Sequence, residues 1–99
     1  MMAGWILQST DEPPVTLRLP AGSVKTIGRT TGADFIVDAA LVSRLHCRLR
    51  VELDGQLAVE DLGSTNGTLV NGKRIDRAIL GAGDALQVGR VTFQVSSDT

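Results

Sequence analysis

Three observations in the sequence predict an all-β fold, an antiparallel sandwich or barrel of many short strands. Apolar and polar residues alternate with a period of two in several runs, most regularly in Cys47 to Leu53, where apolar residues take the odd positions and charges the even ones. Glycine, proline and Asn-Gly signals separate the runs. No window of helical length keeps apolar residues at spacings of three and four for more than about one turn.

Taken along the chain, the first candidate strand is Trp5 to Gln8, followed by Asp11 to Pro14, a polar and proline-rich stretch that reads as a loose loop. Val15 to Leu19 alternates apolar with polar, as a strand with one wet face does. Val24 to Ile27 and Phe35 to Val37 are shorter candidates, and Asp38 to Leu45 has the pattern of a brief helical turn. Asp54-Gly55 joins the run ending at Leu53 to Leu57-Ala58-Val59-Glu60 and predicts a hairpin. Thr68 to Val70, Ala85 to Val88 and Val91 to Val95 complete the set, with Ser96 to Thr99 read as a loose end. Asn71-Gly72, between Thr68-Leu69-Val70 and Lys73-Arg74-Ile75, predicts a plain type I′ hairpin turn with no part in ligand contact.

Composition narrows the function. The chain has 99 residues, 42% hydrophobic and 21% charged, which fits one globular domain (residues 1–99, core about 5–95) with one modest core. No linker, repeat or low-complexity tract divides it. Ten basic against eleven acidic residues leave a formal charge of -1, so no global field draws the chain to nucleic acid or to an anionic membrane. Any anion recognition must be local. The single cysteine, Cys47, cannot form an intramolecular disulfide, and it heads an alternating apolar set, which makes it a small core residue. With no signal-peptide pattern at the N-terminus and no apolar run near the roughly eighteen residues of a membrane span, a cytoplasmic setting is expected. Without secretion, the sequon-like Asn66-Gly67-Thr68 reads as a turn. The chain reads equally as an excised domain or as a complete small protein, with a monomer expected.

Sandwiches gather their loops at two ends, where binding residues collect. Three loops here have unusual content: Gly28-Arg29-Thr30-Thr31-Gly32, Leu41-Val42-Ser43-Arg44-Leu45-His46, and Asp61-Leu62-Gly63-Ser64-Thr65-Asn66-Gly67-Thr68. Together they offer two guanidinium groups, several hydroxyls and a side-chain amide. That inventory suits an oxyanion such as phosphate, for which arginine supplies a planar fork of donors and hydroxyls complete the shell.

In order and spacing, these loops resemble those of the forkhead-associated (FHA) domain, a phosphothreonine-binding module. The matching elements are Gly28-Arg29, Ser43 to His46, Asp61 to Thr68, Val70 to Gly72 and Leu80 to Gly89, and the resemblance runs from Trp5 to Val95. Each match alone is weak; five in register with strand patterns between them are specific. The resemblance implies a β-sandwich of about eleven short strands with binding loops at one end. It also implies a phosphothreonine-containing protein or peptide as partner, no cofactor and no metal.

Residue by residue, the resemblance implies that Arg29 contacts the phosphate and that Ser43 holds another phosphate oxygen through its hydroxyl and backbone N–H. It places Arg44 where a basic or amide residue touches phosphate or peptide backbone. It implies that Thr65 hydrogen-bonds the phosphate side and that Asn66 fixes the peptide main chain just after the phosphothreonine. Gly28, His46 and Gly67 support the site, with His46 bracing the loops rather than touching peptide. In isolation each has a plainer account: a turn arginine, a capping serine, a surface charge, or a tight turn with Asn66 and Gly67 at positive φ. Residues after the phosphothreonine would meet variable loops, here Ala33 to Asp38 and Asp84 to Arg90.

Two other functions compete. Ser43, His46 and Asp61 carry the letters of a hydrolase triad, but Ser43 and His46 share one short loop and no nucleophile-elbow or phosphate-loop motif is present. His46 and Cys47, adjacent at a strand entry, point to opposite faces and cannot readily chelate one ion. The more serious alternative is a protein-contact or self-association domain that needs no phosphate, using the same loops or a sheet face.

Overall fold

In the computed structural model, which describes Gly4 to Asp98, eleven strands form two sheets packed face to face. They are β1 (Gly4–Ser9), β2 (Thr16–Leu19), β3 (Val24–Gly28), β4 (Phe35–Ile36), β5 (Cys47–Val51), β6 (Leu57–Asp61), β7 (Thr68–Val70), β8 (Lys73–Ile75), β9 (Arg77–Leu80), β10 (Ala85–Val88) and β11 (Val91–Asp98). One sheet has the order β2-β1-β11-β10-β7-β8 and the other β4-β3-β5-β6-β9. Inward side chains from both fill a single core whose fully buried members include Leu7, Ile27, Leu49, Leu57, Leu86 and Phe93. The alternation in the sequence is the reason: Cys47, Leu49 and Val51 are buried while Arg50 between them is exposed.

Several local expectations change. Asp38 to Leu45 makes no helical turn: Ala39 N–H bonds back to Val37 and Val42 N–H to Ala39, and Leu41 takes a left-handed φ of 71° that breaks any helix. Ser96 to Asp98 is not loose but continues β11, paired with Ile6, Trp5 and Gly4, while Thr99 lies outside the described residues. The alternating run from Cys47 stops as a strand at Val51, and Leu53 stands 92% exposed in the hairpin turn. Trp5 ties that hairpin to the other sheet by donating from Nε1 to the Gly55 carbonyl at 2.9 Å.

One strand pair is parallel. β4 runs beside β3 in the same direction, with Ile27 opposite Phe35 and Gly28 opposite Ile36. A clasp turns the chain back: the Asp34 carboxylate accepts from Thr26 N–H at 2.9 Å and from its hydroxyl at 3.1 Å, and Asp34 N–H donates to that hydroxyl at 3.0 Å. The segment from Arg29 to Ala33 is thereby held as a closed loop at the end of β3. At the Asn71-Gly72 turn, φ values of 51° and 85° give the type I′ conformation. Asn71 does more than turn the chain, because its side chain donates to Asp84 at 3.0 Å and accepts from Ala85 N–H at 2.9 Å, locking β7 to the approach of β10.

The two faces of the β5-β6-β9 sheet should differ sharply in mutational cost. Leu49, fully buried, should destabilise the fold by about 2–5 kcal/mol when changed to alanine. Ile79, 55% exposed on the outer face, should cost only about 0.5 kcal/mol. Urea denaturation midpoints of Leu49→Ala and Ile79→Ala check this; equal shifts would contradict the burial pattern.

Candidate functional site

β3 ends, β5 begins and β6 ends at the same edge of the sandwich, so the loops Arg29 to Asp34, Val37 to His46 and Leu62 to Gly67 meet there. The end of β3 is stitched directly to the second loop: Arg29 N–H donates to the Ser43 carbonyl at 3.0 Å and His46 N–H to the Ile27 carbonyl at 2.8 Å. That close approach requires glycine at position 28. A Cβ there would sit 1.9 Å from the Arg44 carbonyl oxygen, which is backbone and cannot yield.

His46 joins the second and third loops. It is fully buried, its Nδ1 accepts from Ser43 N–H at 3.0 Å, and the remaining ring nitrogen lies 2.9 Å from the Gly67 carbonyl. Because Nδ1 is an acceptor, the ring proton is on Nε2 and is donated to Gly67. Ser43 N–H is therefore committed to His46 and is not free for an anion, contrary to the expectation that it would help hold a phosphate oxygen. The Ser43 hydroxyl oxygen accepts from Thr65 N–H at 3.1 Å, which leaves the hydroxyl proton available.

The third loop is organised by Asp61. One carboxylate oxygen accepts from the hydroxyls of Ser64 at 2.5 Å and Thr68 at 2.8 Å, and the other from the N–H groups of Gly63 at 3.0 Å and Ser64 at 3.1 Å. Ser64 Oγ in turn accepts from Gly67 N–H at 2.9 Å. Burial pushes the Asp61 carboxyl up, but the hydrogen bonds from Ser64, Thr68 and Gly63 outweigh it and hold the group below the usual carboxylate range. Cys47 lies against this knot; burial first, then the Asp61 charge, push its thiol up to about 12 despite a hydrogen bond with Thr68. It is a core thiol without thiolate reactivity.

Above this base, Arg29, Leu41, Val42, Ser43, Thr65 and Asn66 line an open concavity of about 250 Å³. Four of the five expected contact residues are thus brought together from three loops. Arg44 is not among the lining residues; its side chain is exposed and its carbonyl packs on Gly28. Arg29, Thr65 and Asn66 are exposed, and among the described residues the Arg29 and Arg44 guanidinium groups have no ion-pair partner. Asn66 donates from its side chain to the Leu41 carbonyl at 3.2 Å, which holds the left-handed Leu41 at the rim and leaves the amide oxygen available. Of the Asn66-Gly67 pair, only Gly67 has positive φ, at 89°.

Sequence reasoning missed Arg74. Its Nε, Cζ and Cδ lie 2.8–3.1 Å from where a Gly67 Cβ would be, so the side chain covers that glycine next to Asn66. The signal was the hairpin register, in which Arg74 stands opposite Leu69 two residues beyond Gly67. Ser43, His46 and Asp61 do not form a triad: His46 bonds Ser43 through the backbone N–H, and the Asp61 carboxylate is occupied by Gly63, Ser64 and Thr68.

Two measurements test this base. His46→Ala leaves Ser43 N–H and the Gly67 carbonyl without their partner and should cost about 2–4 kcal/mol in denaturant unfolding. Asp61 titrates lower in the fold than its ordinary value of 3.8, so its contribution is complete above that value and is lost as pH falls through the lower folded value. The difference in melting temperature between the unaltered chain and Asp61→Asn should therefore narrow from pH 5 to pH 2; a constant difference would show that the carboxylate charge does not hold the loop.

A family model for the FHA domain matches residues 25–89. Among curated relatives, the chain is 38% identical over 85 residues to the ABC transporter ATP-binding/permease protein Rv1747 of Mycobacterium tuberculosis, covering 86% of this chain and 10% of that protein. It is 43% identical over 63 residues to the glycogen accumulation regulator GarA of Mycolicibacterium smegmatis, covering 64% of this chain and 39% of that protein. The chain thus spans well under half the length of either relative. Among solved structures, it superposes with a TM-score of 0.86 and 32% identity on a chain solved in a structural and functional analysis of phosphothreonine-dependent FHA domain interactions, covering 94% of this chain and 95% of that one. By the family match and the shared two-sheet architecture, this chain belongs to the FHA domain family of binding modules.

Proposed function

We propose that this chain is a phosphothreonine-dependent binding module of kinase signalling, acting without catalysis as a cytoplasmic monomer, with residues about 5–95 as the working unit. The observation that carries the reading is the convergence of Arg29, Ser43, Thr65 and Asn66 on one open concavity from three loops tied together beneath it. The relative solved in work on phosphothreonine-dependent interactions supports the same reading.

In this mechanism the Arg29 guanidinium and the free protons of the Ser43 and Thr65 hydroxyls bind the phosphate. The Asn66 amide engages the peptide main chain next to the phosphothreonine, exchanging its bond to Leu41 or using its free oxygen. Arg44 meets phosphate or peptide from outside the lining. Each contact is modest, so micromolar affinity, about -8 kcal/mol, is expected and suits reversible signalling. The γ-methyl of threonine, which serine lacks, would distinguish the two residues.

A second reading has its own observation. The outer face of the β5-β6-β9 sheet carries a separate concavity of about 330 Å³ lined by Glu52, Ala58, Arg77, Ala78 and Ile79, well suited to contact that needs no phosphate. Phosphate dependence separates the two.

Binding of the chain to a degenerate phosphothreonine peptide library, with phosphoserine and unphosphorylated libraries alongside, tests the proposal. Arg29→Ala should weaken binding on the order of ten- to a hundredfold, for about 1.5 to 3 kcal/mol lost, and leave the melting temperature nearly unchanged. Equal binding to all libraries, or an unchanged dissociation constant in the mutant at fixed salt, would favour the sheet face instead.

A further inference from the structure

We infer that Arg74 is a specificity-determining residue, one that reads an acidic group of the bound peptide a short distance from the phosphothreonine. This deepens the proposed function and rests on it. Arg74 is exposed on β8, and its guanidinium and Cδ lie over Gly67, the residue after Asn66. Among the described residues no hydrogen bond or ion pair engages it, whereas Arg48 on the outer face of the other sheet is paired with Glu60. It is a positioned cation without a partner.

Gly67 is the reason the cation is positioned. Its N–H is taken by Ser64 and its carbonyl by His46, so the glycine is fixed from below by the same bonds that fix the notch. Its missing side chain leaves the space that Arg74 Nε, Cζ and Cδ occupy, beside the lining residue Asn66. A side chain resting there has already lost part of its rotamer freedom, so it loses less on meeting a ligand.

Reach agrees with this placement. Consecutive Cα atoms are about 3.8 Å apart, and an extended peptide advances roughly 3.3–3.6 Å per residue. A peptide whose main chain is engaged at Asn66 therefore brings side chains one to three residues from the phosphothreonine within range of Arg74. A guanidinium fork there selects a carboxylate or a second phosphate over a neutral side chain.

Fluorescence anisotropy on a set of phosphothreonine peptides tests the assignment. Each position within four residues of the phosphothreonine is changed in turn from glutamine to glutamate, and separately to phosphoserine. The chain, Arg74→Gln, Arg74→Lys and Arg74→Glu are compared, with Arg29→Ala as the control for the notch. At one or two neighbouring positions the acidic peptide should bind about two- to fivefold more tightly. Arg74→Gln should abolish that gain while holding the all-glutamine peptide within about twofold, and Arg74→Lys should keep part of it. Arg74→Glu should reverse the preference toward a lysine-substituted peptide, which a merely structural role for the arginine would not do. The glutamate and phosphoserine series distinguish a carboxylate from a second phosphate. Binding that needs phosphate and Arg29 but shows no acidic preference, or one that survives Arg74→Gln, overturns the assignment and leaves the proposed function standing. Binding that needs neither phosphate nor Arg29 overturns both.

Discussion

A buried imidazole must satisfy two ring nitrogens, and His46 does so across separate loops, accepting from Ser43 N–H at 3.0 Å and donating to the Gly67 carbonyl at 2.9 Å. The backbone beneath the notch is tied together by this bridge. The Ser43 hydroxyl is oriented by a backbone held at His46 and reaches Thr65 N–H. The Gly67 carbonyl ends a loop whose other contacts run through Ser64 to Asp61. The Ile27 carbonyl accepts the His46 N–H, so the first loop belongs to the same assembly. An imidazole serves here because it spans an N–H on one loop and a C=O on another, and a single-donor or single-acceptor side chain would leave one of them buried and unpaired.

The result is a division of labour among polar groups. Those beneath the notch are consumed internally, and among the described residues no buried side-chain nitrogen or oxygen lacks a partner. Those at the rim, the Arg29 guanidinium, two hydroxyl protons and an amide oxygen, keep donor or acceptor capacity for a ligand. A site whose base is already tied loses little loop freedom on binding, so that each modest contact contributes more of its energy to affinity. The Asp61 carboxylate beneath the notch has its charge solvated by four donors.

Most of the fold was legible because its strands are amphipathic, and alternation reports which face is wet without regard to partner strands. β9 was not legible: Ala78, Ile79 and Leu80 form a continuous apolar run in which only Leu80 is fully inward, and the strand exists because β6 pairs with it. The loss of a helical turn at Asp38 to Leu45 is likewise tertiary, since Asn66 holds the Leu41 carbonyl and a Cβ at Gly89 would lie within 3.0 Å of the Ala40 and Leu41 backbone. At the site, the resemblance pointed to Arg29, Ser43, Arg44, Thr65 and Asn66 as a group, and four of the five line the concavity. Which donors are free is not visible in one dimension. That Ser43 N–H is spent on His46, that Arg44 lies outside the lining and that Arg74 lies over Gly67 all depend on register and loop closure.

A chain with a formal charge of -1 has no long-range attraction for an anionic ligand, so selectivity must come from where its cations stand. At physiological ionic strength the screening length is about 8 Å, and only charges within about that distance of the ligand count. Arg48 is neutralised by Glu60 across the β5-β6 pair on the outer sheet face. Arg29, Arg44 and Arg74 have no ion-pair partner among the described residues and belong to the loops and the strand that surround it. This arrangement places unpaired cations around the concavity in a chain whose remaining charged residues are mostly acidic. Placement of cations, rather than their number, would be the physical basis on which a nearly neutral module with the proposed function tells a phosphorylated peptide from nucleic acid.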